Sequence, residues 1–155
     1  MKIKHIWSVL CEKSIINQDD NIISLIGILE ELNATITPVN KNFQKKEKII
    51  IPFNFEVVNY WTKQHSEEVK MQVKVAVVDP DGKEISDSVN ESIFPKDVKR
   101  LRTRLRVQGL PVTRSGNYHF KISLRADNDK VFTLISELPL EVRVKVEEPK
   151  DVSKN

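Results

Sequence analysis

Arg100, Arg102, Arg104 and Arg106 stand at every second position of one short segment. On an extended strand, side chains two apart leave the same face, about 6.6 Å from one to the next at ~3.3 Å per residue. Four guanidiniums so placed form a ladder of fork-shaped donors suited to phosphate or carboxylate. Between positions 96 and 125 there are nine basic residues and one acid, Asp97, a local net charge of +8 in a chain whose total is +3. Such a concentration bears on the choice of partner. Lys121 and Arg125 fall in the same stretch, and they extend the ladder sideways if residues 118–125 pair with the arginine segment. The candidate anion-binding set is therefore Arg100, Arg102, Arg104, Arg106, Lys121 and Arg125. The partner it suits is an acidic protein surface or, alternatively, a nucleic-acid backbone. No aromatic group is interleaved on that face, because Tyr118 and Phe120 have the opposite parity, so a stacking platform for bases is missing. The ordinary alternative is a solvated strand face. Its arginine stems would cover apolar surface, with Glu141, Glu84 or Asp87 neutralising the row across strands.

Other chemistry has less material. His5, His65 and His119 lie on separate segments without carboxylates or cysteines at metal-ligand spacing, and a closed zinc site wants four N or S ligands where only one cysteine exists. Cys11 ends an apolar run with Lys13 as its nearest cation, the setting of an inert core thiol rather than an activated nucleophile. Paired acids occur at Asp19/Asp20, Glu30/Glu31, Glu67/Glu68 and Asp79/Asp81. The run from Asp79 to Gly82 lacks the sixth-position glycine and twelfth-position glutamate of a calcium loop. With four glycines and no phosphate-loop or nucleophile-elbow pattern, neither a metal, a cofactor nor a catalytic constellation is expected, and the chain reads as non-enzymatic.

The elements that would position these residues follow a period of two. Val69, Met71, Val73, Val75 and Val77 alternate with Lys70, Gln72 and Lys74; the same holds for Leu101 to Val107, Tyr118 to Leu124 and Leu138 to Val146. These are half-buried strands. Ile3 to Cys11, Ile22 to Leu29 and Ile49 to Val58 alternate less strictly and read as more thoroughly covered strands. Asp79-Pro80-Asp81-Gly82 is a turn, with proline presetting φ and glycine supplying a positive φ. Asn128-Asp129 marks another reversal. Residues 17–21 and 91–97 hold at most a helical turn. At 155 residues, 39% hydrophobic and 30% charged, the chain is sized for one core that needs no staples. The expected fold is all-β: an antiparallel immunoglobulin-like β-sandwich of about 7–9 strands over residues 1–147, with a flexible tail at 148–155.

The start, Met1-Lys2-Ile3-Lys4, is basic and Ser8-Val9-Leu10-Cys11 resembles a lipoprotein cleavage box, but the apolar run between them is too short for a secretion signal. A single cysteine fits a reducing compartment, so the expected location is the cytoplasm.

Two stretches together resemble a known family. Cys11, the polar loop Gln18-Asp19-Asp20-Asn21 and the strand Ile23-Ser24-Leu25-Ile26-Gly27-Ile28-Leu29-Glu30 are similar to the opening of a family of uncharacterised bacterial proteins. Val78 to Ile85, Gly109-Leu110-Pro111, Gly116-Asn117-Tyr118-His119-Phe120 and Leu138-Pro139-Leu140-Glu141-Val142 are similar to the same family and, more loosely, to immunoglobulin-like sandwiches. The resemblance implies a β-sandwich and no particular activity. Gly116 before Tyr118 also predicts a sharp strand entry at which the tyrosine hydroxyl anchors on nearby backbone. The functional expectation is a binding or assembly module that works through a protein partner or a second copy, with nucleic acid as the lesser alternative and no membrane partner.

Overall fold

The computed structural model describes residues 3–37 and 48–147. These form nine strands: β1 (Ile3–Ile16), β2 (Ile23–Ile28), β3 (Glu31–Ile36), β4 (Ile49–Lys63), β5 (Val69–Val78), β6 (Glu84–Phe94), β7 (Arg100–Val112), β8 (Gly116–Ala126) and β9 (Thr133–Val146). A four-stranded sheet in the order β2-β1-β4-β7 packs on a five-stranded sheet in the order β3-β9-β8-β5-β6. The β-sandwich expected from the alternation is what the chain adopts. One pairing departs from antiparallel: β3 runs parallel to β9, with Leu32 opposite Val142 and Ala34 opposite Val144. The chain reaches that position by leaving the four-stranded sheet after β2 and joining the other sheet within a few residues. Pairing ends at Val146, and the expected tail at 148–155 lies outside the described residues.

Of the two expected helical turns, one is replaced and one forms. Residues 91–97 are not a helical turn: β6 continues to Phe94, and a tight turn follows. At residues 17–21 a single turn does form, closed by the Asn21 amide donating to the Asn17 carbonyl at 2.8 Å.

Alternation decides which side chains enter the core. Val69, Met71, Val73 and Val75 of β5 face inward with Tyr118, Phe120, Ile122 and Leu124 of β8, all nearly inaccessible to solvent. The four-stranded sheet supplies Ile3, Leu10, Phe55, Val57, Trp61 and Leu110. The Phe55 and Phe120 rings meet edge to face across the two sheets, their centroids 5.6 Å apart, a favoured aromatic geometry. Full burial of each such large side chain contributes roughly 1.5–3 kcal/mol.

The link from β7 to β8 is fixed by Tyr118. Its buried hydroxyl accepts from the amides of Thr113 (2.9 Å) and Arg114 (3.2 Å) and donates to the Arg114 carbonyl (2.7 Å), as the Gly116-Tyr118 spacing predicts. Gly116 has φ +148, and a β-carbon there would sit 2.7 Å from the Pro80 ring. The β5–β6 turn therefore rests directly on this corner. Asp79 closes that turn by accepting from the amides of Asp81 and Lys83, both at 2.9 Å, Gly82 takes φ +82, and Arg114 grips Asp81 with Nη2 and Nε at 2.7 and 3.3 Å.

Candidate interaction surface

Among the described residues β7 is the last strand of its sheet, and one of its edges has no neighbouring strand there. Leu101, Thr103, Leu105 and Val107 turn toward the core, and Arg100, Arg102, Arg104 and Arg106 share the outer face. The register with β4 places Thr62, Tyr60, Val58 and Glu56 beside those four arginines in that order. The ladder read from the sequence is thus real as a row. It is not an open one.

A hairpin lies over part of it. β1 pairs with β4 only as far as Cys11 opposite Glu56, and beyond that point it pairs with β2 alone. Ser14, three residues on, is buried with its amide 3.0 Å from Glu56 Oε2, and its hydroxyl donates to the same oxygen. The tip of the hairpin then reaches β7, where Arg102 donates from Nη1 to Asn21 Oδ1 (3.1 Å) and from Nη2 to the Asn21 carbonyl (2.9 Å). The β1–β2 hairpin therefore arches back across the outer face of β4. Val58 and Cys11, which point away from the main core, are fully buried beneath it. Gly27 lies within β2 at φ +64, and an added β-carbon there would come within 2.8 Å of the Glu12 side chain. Only glycine fits this bend comfortably.

Each arginine has its own situation. Arg106 Nε lies 3.5 Å from Glu56 Oε1 with its side chain 78% exposed, Arg104 Nη1 is 3.4 Å from Ser14 Oγ, and Arg102 is held by Asn21. The Arg100 side chain makes no ion pair or hydrogen bond with the described residues. The acid that meets the row is Glu56, not the residues expected from the sequence: Glu141 pairs with Arg143, and Glu84 and Asp87 both pair with Lys74. Sequence alone could not select Glu56, because the β4–β7 register is needed to place it opposite Arg106.

Lys121 and Arg125 do not extend the ladder. β8 pairs with β5 and β9 in the other sheet, which puts these two side chains on the opposite outer surface of the sandwich. There Lys121 stands opposite Glu137 in the β8–β9 register. Arg125 donates from Nε to Gln72 Oε1 at 2.8 Å and covers the Phe132 ring at 4.5 Å. The correction has a simple cause. Consecutive strands in a sandwich often cross between sheets, and β7 and β8 do so through the Tyr118 corner.

A polar chain that sequence reading missed crosses the inner side of the four-stranded sheet. His5 Nε2 lies 2.7 Å from Ser8 Oγ, Ser8 donates to Asn59 Oδ1 at 2.7 Å, and Asn59 Nδ2 and Trp61 Nε1 both donate to Thr103 Oγ1, at 3.2 and 2.9 Å. Because the single Ser8 proton goes to Asn59, His5 must donate through Nε2–H. In that tautomer His5 does not act as a base toward Ser8. Burial lowers the His5 pKa below 6.5, against a smaller raising effect of the Trp7 backbone. Between the folded and unfolded values the unfolded chain binds the extra proton, so this histidine's contribution to stability is present above about pH 6.5 and fades as pH falls. Urea midpoints measured down a pH series should drop less steeply in His5→Gln than in the native chain. Parallel curves would exclude His5 as the source.

Burial also pushes the Cys11 thiol up, reinforced by the neighbouring Glu56 carboxylate, the opposite of nucleophile activation. Among the described residues no three His, Cys, Asp or Glu side chains gather as a metal site, and no helix is long and apolar enough to cross a membrane.

Comparison with solved structures gives the fold alone. The C-terminal domain of wzt superposes with a TM-score of 0.53 at 11% identity, covering 92% of this chain and 74% of that one. The cupredoxin domain of amoB from Nitrosocaldus yellowstonii gives 0.37 at 14% identity over 65% of this chain and 63% of that one. No curated protein matches the sequence. The family model that does match spans residues 6–143, from the first strand through most of the last, so the chain belongs to the family of unknown function DUF6941.

Proposed function

We propose that this chain is a non-enzymatic binding module that takes an acidic, extended protein segment along β7, in a reducing compartment such as the cytoplasm. The observation that carries the reading is the coincidence of a strand edge that no described strand pairs with and a row of four guanidiniums on the same strand. An added strand gains main-chain hydrogen bonds from the edge, and its alternate side chains lie beside those of β7 on the same face. Acidic residues at every second position would therefore meet Arg100, Arg104 and Arg106. A nucleic-acid backbone is the second reading, favoured by the exposure of Arg106 and the unengaged Arg100. It is weakened by the placement of Lys121 and Arg125 on the far surface.

The test is a titration of a fluorescent peptide of alternating Glu and Val residues beside a mixed-sequence single-stranded DNA. The peptide should bind, more weakly as salt rises, and Arg100→Glu with Arg104→Glu should weaken it about tenfold, equivalent to ~1.4 kcal/mol. No peptide binding, or binding untouched by the two substitutions, overturns the reading. Tighter binding of the DNA with a steep salt dependence would favour the polyanion instead.

A further inference from the structure

The two sheets end on the same side of the sandwich with strands of opposite charge. β7 closes the four-stranded sheet and β6 closes the five-stranded one. They are joined by residues 95–99, through which the chain reverses, so the two edges run side by side in opposite directions. β7 carries four arginines and no acid; β6 carries Glu84, Asp87 and Glu91 and no base. Asp87 and Glu91 share the outer face of β6 with Val89 and Ile93, both about half exposed. The opposite face of β6 carries Ser86, Ser88, Asn90 and Ser92 where its β5 partners are valines and a methionine. β6 is therefore a long edge with apolar and acidic groups outside.

We propose that β6 and β7 are a paired docking edge for a second copy of this chain. The proposal rests on the reading of β7 as an open edge and names its occupant. A two-fold axis parallel to the strands carries the four-stranded sheet of one copy into line with the five-stranded sheet of the other. β7 then meets β6 of the partner copy in antiparallel orientation, and the same contact forms a second time by symmetry, as an isologous interface requires. On the shared outer face, Arg100 and Arg104 are spaced four residues apart, as are Asp87 and Glu91. The two spacings match along a strand, so opposite charges sit across the ladder. Competing self-pairings are disfavoured by the same residues: β7 against β7 opposes arginines, and β6 against β6 opposes acids. Gly109 with φ +78 and the missing amide of Pro111 blunt the far end of β7, so the pairing uses residues 100–108.

Sedimentation velocity of the full chain over a concentration series tests this. The native protein should shift from monomer to dimer as concentration rises, and less so at high salt. Arg100→Glu with Arg104→Glu, or Asp87→Arg with Glu91→Arg, turns the facing charges alike in both ladders and should weaken the dimer about a hundredfold. Mixing the two variants restores complementary charge in both ladders, so a heterodimer should form from two monomeric proteins. Circular dichroism of each variant checks that the sandwich is intact, and a misfolded pair is replaced by the single substitutions Arg100→Glu and Glu91→Arg. A native chain that stays monomeric throughout, or variants that still dimerise alone, overturns the proposal. If the chain is monomeric yet binds the acidic peptide, only the choice of a second copy fails; if it binds neither, the open-edge reading fails with it.

Discussion

Replacing Trp61 with alanine should destabilise the protein by about 3–5 kcal/mol, the usual cost of deleting a large buried aromatic ring. Trp61 is completely buried, its indole donates to Thr103, and His5 packs against it edge to face at 5.1 Å. Loss of the ring opens a cavity near the C-terminal end of β4, where Asn59 and Thr103 remain as buried polar groups. Since a domain of this kind has a total stability of about 5–15 kcal/mol, much of it would go. Chemical denaturation of the native and Trp61→Ala proteins gives the comparison. A change below ~1 kcal/mol would mean that the four-stranded sheet does not share the common core. Trp61→Phe should cost less, because a phenyl ring refills most of the space that alanine leaves empty.

Glu56→Leu should release the hairpin without unfolding the sandwich. The carboxylate of Glu56 receives the Ser14 amide and hydroxyl and faces Arg106. A leucine leaves two buried donors without an acceptor, each costing about 1–3 kcal/mol unless water reaches it. The least costly escape is for residues 12–26 to lift from β4, which exposes Val58 and Cys11. Hydrogen exchange should therefore accelerate in β2 and the end of β1 while β5 and β8 keep their protection. Reaction of Cys11 with a thiol reagent should quicken in the same variant. If exchange rises uniformly instead, Glu56 supports the whole fold and not the flap.

Most of the strands were legible because one face of each is apolar. β5, β7, β8 and β9 announce themselves by alternation, and the thorough coverage expected for the β4 region has a cause in the hairpin lying above it. β2, expected to be covered likewise, is largely exposed at the edge of its sheet. β6 was hidden because its inward positions are Ser86, Ser88, Asn90 and Ser92, which give no hydrophobic period. β3 carries a usable signal in Leu32, Ala34 and Ile36, all partly buried, but it is short and follows β2 almost at once. The arginine row followed from parity alone. Its partners did not, since Asn21 and Ser14 lie 81 and 90 residues from the arginines they meet. Only the arch of the hairpin brings them together. Placing Lys121 and Arg125 required knowing that β7 and β8 part company at the Tyr118 corner, where adjacency in sequence ceases to mean adjacency in a sheet.

The parallel union of β3 with β9 bears on how the molecule is made. β9 sits between β3 and β8, so β3 has nothing to lean on until the ribosome has gone on through five further strands to deliver β9. Until then Leu32, Ala34 and Ile36 belong to a nascent chain whose partner strand has yet to be synthesised. Contacts so remote along the backbone slow maturation and lengthen the interval during which sticky segments are unguarded. The speed with which β9 closes against β3 then bears on the yield of folded protein alongside its equilibrium stability.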